Sequence, residues 1–320
     1  MDIILRAADQ FVFTPYVYPA SFLETDPVRQ FITFFIITVV GGSLLYLIPG
    51  FLAYQFLFDK SLRQHKRFIP NQEWLEIKYA LSSIPYMAIP TCLLFVLEVN
   101  GYSQLYDGVN DHSLGWGFIA LTIPIFLLFT DMCIYWIHRW LHHPWFYGRF
   151  HKPHHRWIVC TPFASHAFHP VDGFMQSVPY HIYVFIFPTH KFLYLILFVL
   201  VNVWSTSIHD EHYSVPEFLQ PFINGSAHHT DHHIYFNYNF GQYFTLWDRI
   251  GGSFMYPTGF QPGKTVYDVL KQQLSGKDDP LSLDGLDPDD VPDAKQKYEE
   301  VAKLGNKMER GVSARKVKSA

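Results

Sequence analysis

The sequence predicts an all-α integral membrane protein whose transmembrane helices carry a histidine-rich, di-metal helical cap on the cytosolic side. Of the 320 residues, 49% are hydrophobic and only 16% are charged. Soluble domains usually carry about 25% charged residues, so the missing charge indicates a membrane protein. The cap is predicted from the histidines, because all but two of the 18 lie between His138 and His233.

Three apolar runs are each long enough to cross a bilayer. A hydrocarbon core of ~30 Å needs about 20 helical residues, and none of the runs contains more than one charged residue. Helices buried inside a large soluble protein are the alternative, which the occurrence of three such runs disfavours. The predicted spans are residues 31–58, 79–99 and 115–137.

A fourth apolar region, residues 180–208, is interrupted by Pro188, His190 and Lys191. The interruption predicts a helical hairpin or two short tilted helices rather than one span. Histidine clusters lie on both sides of this region. They can meet only if the region crosses the membrane twice or not at all, and the break near Lys191 permits either.

The charges of the loops orient the spans. Residues 59–78 contain five Lys or Arg residues, whereas residues 100–114 contain none. Because Lys and Arg concentrate in cytosolic loops, the first loop is predicted to be cytosolic and the second lumenal or external. The chain then returns to the cytosol after residue 137, so the histidine clusters and the C-terminus are expected on the cytosolic side.

Three regions follow from this order. Residues 1–114 form an N-terminal region with two spans, residues 115–257 a histidine-rich domain with the third span and the hairpin, and residues 258–320 a charged cytosolic tail. The composition of the tail is typical of loose structure. Its last residues, KVKSA, resemble a dilysine retrieval signal, which predicts a multi-pass protein of the endoplasmic reticulum membrane.

Composition also excludes some classes. The net charge of -4 argues against a nucleic-acid partner. The three cysteines, Cys92, Cys133 and Cys160, lie far apart without CxxC spacing. They therefore predict neither a disulfide framework nor a zinc site built from thiolates.

Three histidine clusters have helical spacing. His138 and His142 are four residues apart and share one helix face. The stretches HKPHH and HHTDHH each contain histidines at positions i, i+3 and i+4, which places three rings on one side of a helix. Histidines at the membrane interface are the alternative, and the repeated spacing on one predicted side disfavours it.

Eight imidazoles exceed the needs of one ion and suit two. A catalytic zinc usually takes three protein ligands and a structural zinc four. The motif HExxH is absent, because Arg139 stands where a zinc protease has its general base. Imidazole binds zinc, copper, iron and nickel, so the spacing alone leaves iron or zinc open.

The motifs HRWLH, HKPHH and HTDHH resemble the three histidine boxes of the membrane fatty-acid hydroxylase and sterol desaturase superfamily. The stretches that begin GRFHKPHHRWIVC and PFINGSAHHTDHH are similar to the sterol C5-desaturases, the fungal ones especially. The resemblance is strong over about residues 115–257, which it identifies as a fatty-acid hydroxylase-like catalytic domain. It extends to the N-terminal spans by arrangement only. It implies the metal ligands His138, His142, His151, His154, His155, His229, His232 and His233.

The resemblance also implies an activity. It implies two non-haem iron ions, dioxygen, and electrons that come from NAD(P)H through a reductase and cytochrome b5. The sterol, taken from the bilayer lipid, would lose two hydrogens and gain a C5–C6 double bond, as in ergosterol-type biosynthesis. A hydroxylase or monooxygenase of the same superfamily is an alternative. A membrane metal-binding or transport protein is the alternative of another class.

Further side chains are expected near the metals. His209 follows the fourth apolar region where a helix would re-emerge, and His169, His212 and His228 are additional ligand candidates. His143 is expected to point away from the ligand face. Asp131 stands alone as an acid in an apolar run, two helical turns before His138, so it is predicted to hold a metal-bound imidazole. Other candidates for this role are Asp172, Asp210, Asp231 and Asp248.

Overall fold

A computed structural model describes residues 1–257 except 66 and 213. These residues are mostly helical and contain almost no strand, which confirms the predicted all-α class. The predicted tail and its dilysine lie outside the described residues. The α-helices are α1 (Asp2–Ala8), α2 (Thr14–Tyr16), α3 (Pro27–Phe56), α4 (Gln72–Leu97), α5 (Trp116–Leu141), α6 (Pro144–Phe146), α7 (Lys152–His155), α8 (Pro170–Ile186), α9 (Lys191–Ile208), α10 (Ser226–Tyr235) and α11 (Leu246–Gly251).

Short segments connect these helices. Two strands of two residues, β1 (Leu105–Tyr106) and β2 (Thr189–His190), pair in parallel. The π-helical segments are Asp9–Phe13, Glu98–Tyr102 and Tyr147–His151. The 3-10 segments are Lys60–Gln64, Val109–Asp111, Pro162–His166 and Glu217–Leu219.

Four helical stretches in the described part of the chain are long and apolar enough to cross a membrane: α3, Gln72–Tyr102, α5 and α9. The three runs predicted from sequence correspond to the first three. On α3 the large side chains of Val40, Leu44 and Ile48 are exposed. An apolar outer surface of this kind suits contact with lipid and would be costly in water, so the chain is a membrane protein.

The interrupted fourth region forms part of a hairpin. The first helix, α8, begins at Pro170, before the apolar region starts, and α9 follows after a four-residue connection at 187–190. The two helices contact each other through the rings of His181 and Phe198, whose centroids are 5.8 Å apart. Because α8 begins and α9 ends beside the histidine clusters, the hairpin leaves that end of the molecule and returns to it.

Aromatic contacts hold the long helices together. The rings of Phe34 on α3 and Phe95 on α4 have centroids 5.5 Å apart, and those of Phe126 on α5 and Tyr183 on α8 are 4.9 Å apart. Such pairs stabilise packing by roughly 0.5–1.5 kcal/mol beyond their buried area. The Phe95 ring also lies 5.4 Å from the His181 ring of α8, so α8 packs between α5 and α4, which sets the direction in which it leaves the histidine clusters.

Buried hydrogen bonds attach residues 159–161, which follow the HKPHH cluster, to the first turns of α4. Gln72 donates from Nε2 to the Val159 carbonyl oxygen at 2.7 Å and to Glu76 Oε1 at 2.7 Å. The Thr161 hydroxyl donates to the other oxygen of Glu76. Since these groups are buried, breaking any of the bonds would leave an unsatisfied polar atom. The position of α7, just before this segment, is therefore well determined.

Candidate metal centre

The first histidine cluster lies at the end of α5. His138 is in its last turn and His142 caps it, with ring centroids 5.2 Å apart. The chain then reverses at Pro144, which begins α6. This reversal brings the following π-helical segment and α7 back against α5, so that the second cluster faces the first.

Five imidazoles form what we call the first histidine group. Its Nε2 atoms are close together: the pairs His138/His151, His142/His155 and His151/His155 are 3.0, 3.1 and 3.1 Å apart. One ring nitrogen from each member lies within 4.8 Å of the others. The members are His138, His142, His151, His155 and His232.

Four imidazoles form the second histidine group: His154, His209, His229 and His233. The Nε2 atom of His229 is 2.9 Å from that of His209 and 3.1 Å from that of His233. The Nε2 atoms of His154 and His209 are 3.5 Å apart. The two groups are adjacent, since the ring centroids of His155 and His233 are 4.7 Å apart.

The spacing i, i+3, i+4 serves both groups at once. In the second cluster, His151 and His155 belong to the first group and His154 to the second. In the third cluster, on α10, the i, i+4 pair His229 and His233 belongs to the second group and His232 to the first. Each of these two clusters therefore bridges two candidate metal positions.

The hydrogen bonds of the rings indicate that cations belong here. Nδ1 of His138 lies 3.0 Å from the Phe240 carbonyl oxygen. Nδ1 of His151 lies 2.7 Å from a carboxylate oxygen of Asp172. Both oxygens can only accept, so each Nδ1 donates. A neutral imidazole that donates from Nδ1 has only a lone pair on Nε2. The Nε2 lone pairs of the two rings are 3.0 Å apart, an arrangement that repels unless a cation lies between them.

The nitrogen distances also fit a metal ion. With metal–nitrogen bonds of ~2.1 Å, two ligands at a right angle on one ion lie ~3.0 Å apart. In addition, Nε2 of His232 is buried and has no hydrogen-bond partner. The donor set is all imidazole, which suits iron, zinc, copper or nickel, so two groups of this kind fit two such ions.

Acceptors behind the rings fix their orientation. Nδ1 of His209 donates to the Ser205 carbonyl at 2.7 Å and Nδ1 of His232 to the Tyr238 carbonyl at 2.7 Å. Bonds of this kind set the tautomer and raise the basicity of the other ring nitrogen. The strongest of these hydrogen bonds joins His151 to Asp172, because its acceptor is a carboxylate and both side chains are fully buried.

Comparison with known proteins agrees with this geometry. The fatty acid hydroxylase family matches residues 123–253, a range that contains both histidine groups. A lathosterol oxidase of Mus musculus is 54% identical over 285 residues, which cover 89% of this chain and 95% of that protein. A Delta(7)-sterol 5(6)-desaturase of Schizosaccharomyces pombe is 45% identical over 295 residues, with coverage of 87% and 96%.

A Delta(7)-sterol 5(6)-desaturase of Candida dubliniensis is 52% identical over 250 residues, which cover 76% of this chain and 64% of that protein. The chain belongs to the sterol C5-desaturases of the fatty acid hydroxylase family. It is therefore an oxidoreductase, and a metal transporter is not supported. No solved structure matches the chain.

The additional histidines proposed for this desaturase-family chain divide into two kinds. His209 lies in the second histidine group. His169 caps α8, because its Nδ1 accepts from the Val171 amide at 3.2 Å, and His228 lies beside the Phe254 ring at 6.1 Å. His212 is exposed. Among the described residues, the last three belong to neither histidine group.

Among the described residues, no histidine ring donates a hydrogen bond to Asp131. Its Oδ1 accepts from the backbone amides of Gln242 at 2.9 Å and Tyr243 at 2.7 Å. Asp248 accepts from the amides of Phe240 and Gly241 in the same loop, at 2.9 and 2.8 Å. The two acids hold the loop in place, and the Phe240 carbonyl of this loop accepts the hydrogen bond from Nδ1 of His138. The sequence could reveal an isolated acid in Asp131, but not that its partners are amides of a distant loop.

Burial controls protonation in the cap. It lowers the pKa of His154, His155 and His229 well below the usual value, and the neighbouring histidines lower it further. A neutral imidazole keeps the lone pair that a metal requires. Burial also raises the pKa of the Glu211 carboxyl to about 8, although the Thr230 hydroxyl that donates to it acts in the opposite direction.

A cavity of about 530 Å³ extends from the histidines into the helical bundle. This volume lies within the ~300–1,000 Å³ that small-molecule pockets occupy. His138, His154, His209 and His229 line one end. Gly41 of α3 and Val199 of α9 line it as well and are exposed, so the cavity opens between these two helices on the apolar outer surface.

Proposed function

We propose that this oxidoreductase introduces the C5–C6 double bond into a Δ7-sterol. The observation that carries the proposal is the pair of all-imidazole histidine groups at the end of a cavity that opens on the apolar outer surface. A cavity of this kind suits a long apolar substrate that enters from the bilayer. The relatives' names, Delta(7)-sterol 5(6)-desaturase and lathosterol oxidase, supply the sterol and the oxidation.

We further propose that the two histidine groups hold two iron ions. Zinc has no redox chemistry, whereas removal of two hydrogens from a saturated carbon pair is an oxidation. Two iron ions held by these histidines would, with dioxygen, supply the oxidising power needed to break unactivated C–H bonds. Overall, one dioxygen becomes two waters and accepts four electrons. Two come from the sterol and two from NAD(P)H, through cytochrome b5 and its reductase as partners.

The residues of the chain have separate tasks in this reaction. The nine grouped histidines bind the ions. Acceptors behind four of them keep those rings in one orientation, namely His138, His151, His209 and His232. The apolar wall of the cavity excludes water from the reacting carbons, which limits side reactions. The cavity walls, formed largely by α3, α4, α8 and α9, orient the sterol, so that its position relative to the ions decides between desaturation and hydroxylation.

The proposed activity has a direct test. We expect the chain, expressed in a yeast strain that lacks its own C5-desaturase, to restore Δ5,7-sterol, measured by its ultraviolet absorbance. The diene forms because two hydrogens leave without addition of oxygen. A product that has instead gained oxygen, identified by mass spectrometry, would assign a hydroxylase. Absence of any sterol product at normal membrane abundance of the chain would contradict the proposal.

We also propose a multi-pass protein of the endoplasmic reticulum membrane, with the histidine groups and the C-terminus in the cytosol. The cationic loop before α4 supports this orientation. In sealed microsomes, a membrane-impermeant maleimide should label Gln64→Cys, which lies in that loop. It should label Asn110→Cys only after permeabilisation. Both positions are exposed, so the reverse labelling pattern would overturn the orientation.

A further inference from the structure

The cavity is polar near the histidines and apolar at its far end. One face of α8 lines it along much of its length, through Gly173, Gln176, Ser177, Tyr180 and His181, the spacing of a single helix face. The far end is lined by Phe34, Phe95 and Leu195, which belong to one apolar cluster. A ligand with one polar end and one hydrocarbon end therefore fits in one direction only.

Gln176 is a polar group that the structure fixes in place beside the histidines. Its Nε2 donates to Asp172 Oδ1 at 2.7 Å, and Asp172 Oδ2 accepts from His151 Nδ1 at 2.7 Å. With Nε2 committed to the carboxylate, the amide presents Oε1 as an acceptor. No described residue donates to Oε1, so a hydroxyl of a bound ligand is the partner that this amide lacks.

We propose that the cavity binds the sterol with its 3-hydroxyl on Gln176 Oε1 and its alkyl side chain between Phe34, Phe95 and Leu195. The inference rests on the proposed function and specifies how that substrate is held. The carbon that bears the hydroxyl and C5 belong to the same ring, so a reacting C5–C6 bond at the histidines requires the hydroxyl at the same end. Gln176 lies one helical turn beyond Asp172, which holds a grouped histidine.

His181 also lines the cavity with an unpartnered buried atom, Nδ1. It follows Asp172 by nine residues on the same helix, which places it ~13 Å further along the axis. A hydroxyl held there would draw the whole of its ring, C5 included, away from the histidines. The geometry therefore favours Gln176 over His181 as the hydroxyl acceptor.

The hydroxyl contact is tested with two substrates and matched variants. The wild-type chain should prefer a Δ7-sterol over its 3-deoxy analogue by about ten- to a hundredfold in kcat/KM, the usual consequence of leaving unpaired an acceptor that the bound ligand covers. Gln176→Leu should reduce this preference to near unity. Gln242→Leu removes another amide that lines the cavity and should keep the wild-type preference.

The ratio of kcat/KM for the two substrates distinguishes a direct contact between Gln176 and the hydroxyl from a role in which Gln176 only supports Asp172. If Gln176 only holds Asp172, Gln176→Leu slows both substrates equally and the preference survives, which overturns the proposal. A preference that is lost in His181→Leu or Gln242→Leu but kept in Gln176→Leu overturns it as well. So does a wild-type chain that does not discriminate between the two sterols.

The direction of binding is tested without turnover. A photoreactive sterol with a diazirine at the end of its alkyl side chain should label α3, α4 or α9 around Phe34, Phe95 and Leu195 in the full-length membrane protein. One with the diazirine at C6 should label the histidine end of α8. An excess of unlabelled Δ7-sterol should suppress both. Exchanged labelling patterns overturn the proposed direction, whereas missing Δ5,7-sterol in the yeast assay refutes the function itself.

Discussion

Replacement of His151, His154 or His232 by alanine is expected to abolish formation of Δ5,7-sterol. His151 and His232 belong to the first histidine group and His154 to the second. The three changes therefore test both groups, and each removes one imidazole from its group. Loss of a ligand leaves the ion without its geometry and potential. Product should fall at least a hundredfold at unchanged membrane abundance, measured by ultraviolet absorbance in a yeast strain that lacks C5-desaturase.

His143→Ala is the matched control for these variants. His143 adjoins the first cluster, but its ring is exposed, and Nδ1 accepts from the Trp145 amide at 3.4 Å at the start of α6. We expect substantial activity and a full metal content by elemental analysis. Near-normal product from all three ligand variants would refute the metal site. Loss of product in His143→Ala alone would show that the wrong helix face has been assigned to the ions.

The second large effect is expected from Asp172→Ala. The carboxylate is fully buried and accepts from Nδ1 of His151 at 2.7 Å. Loss of such a partner typically costs 10- to 100-fold in metal affinity, and the empty space would leave the imidazole free to rotate. The measurement is the iron retained by the purified protein after dialysis against increasing chelator, which does not depend on turnover.

Asp107→Ala provides a control with the same loss of a carboxylate. Asp107 forms an exposed ion pair with Lys191 at 2.8 Å, away from both histidine groups. Exposed pairs contribute little to stability, so iron retention should match the wild type. Equal retention in Asp172→Ala and the wild type would mean that the bond to His151 does not influence the metal site.

Hydropathy and spacing determined much of the fold in advance. The three apolar runs correspond to α3, α4 and α5 because a helix in lipid satisfies its own backbone hydrogen bonds and needs only apolar side chains of sufficient number. The break near Lys191 marked the hairpin, but whether it returns to the same end of the molecule was open. That depends on the contact of α8 with α9, which no local pattern encodes.

For the site, the sequence by itself determined which histidines share a helix face, because 3.6 residues per turn fix the positions i, i+3 and i+4. Only the tertiary structure divided them between two groups, since the division depends on how α7 and α10 face each other and α5. It also decided that Asp172, not Asp131, holds an imidazole. Both acids are buried, and their partners lie 21 and 111 to 113 residues away. The sequence could not predict that the carbonyls of Ser205, Tyr238 and Phe240 accept from histidine rings. Every residue has a backbone carbonyl, and only the packing of the chain decides which of them lie next to an imidazole.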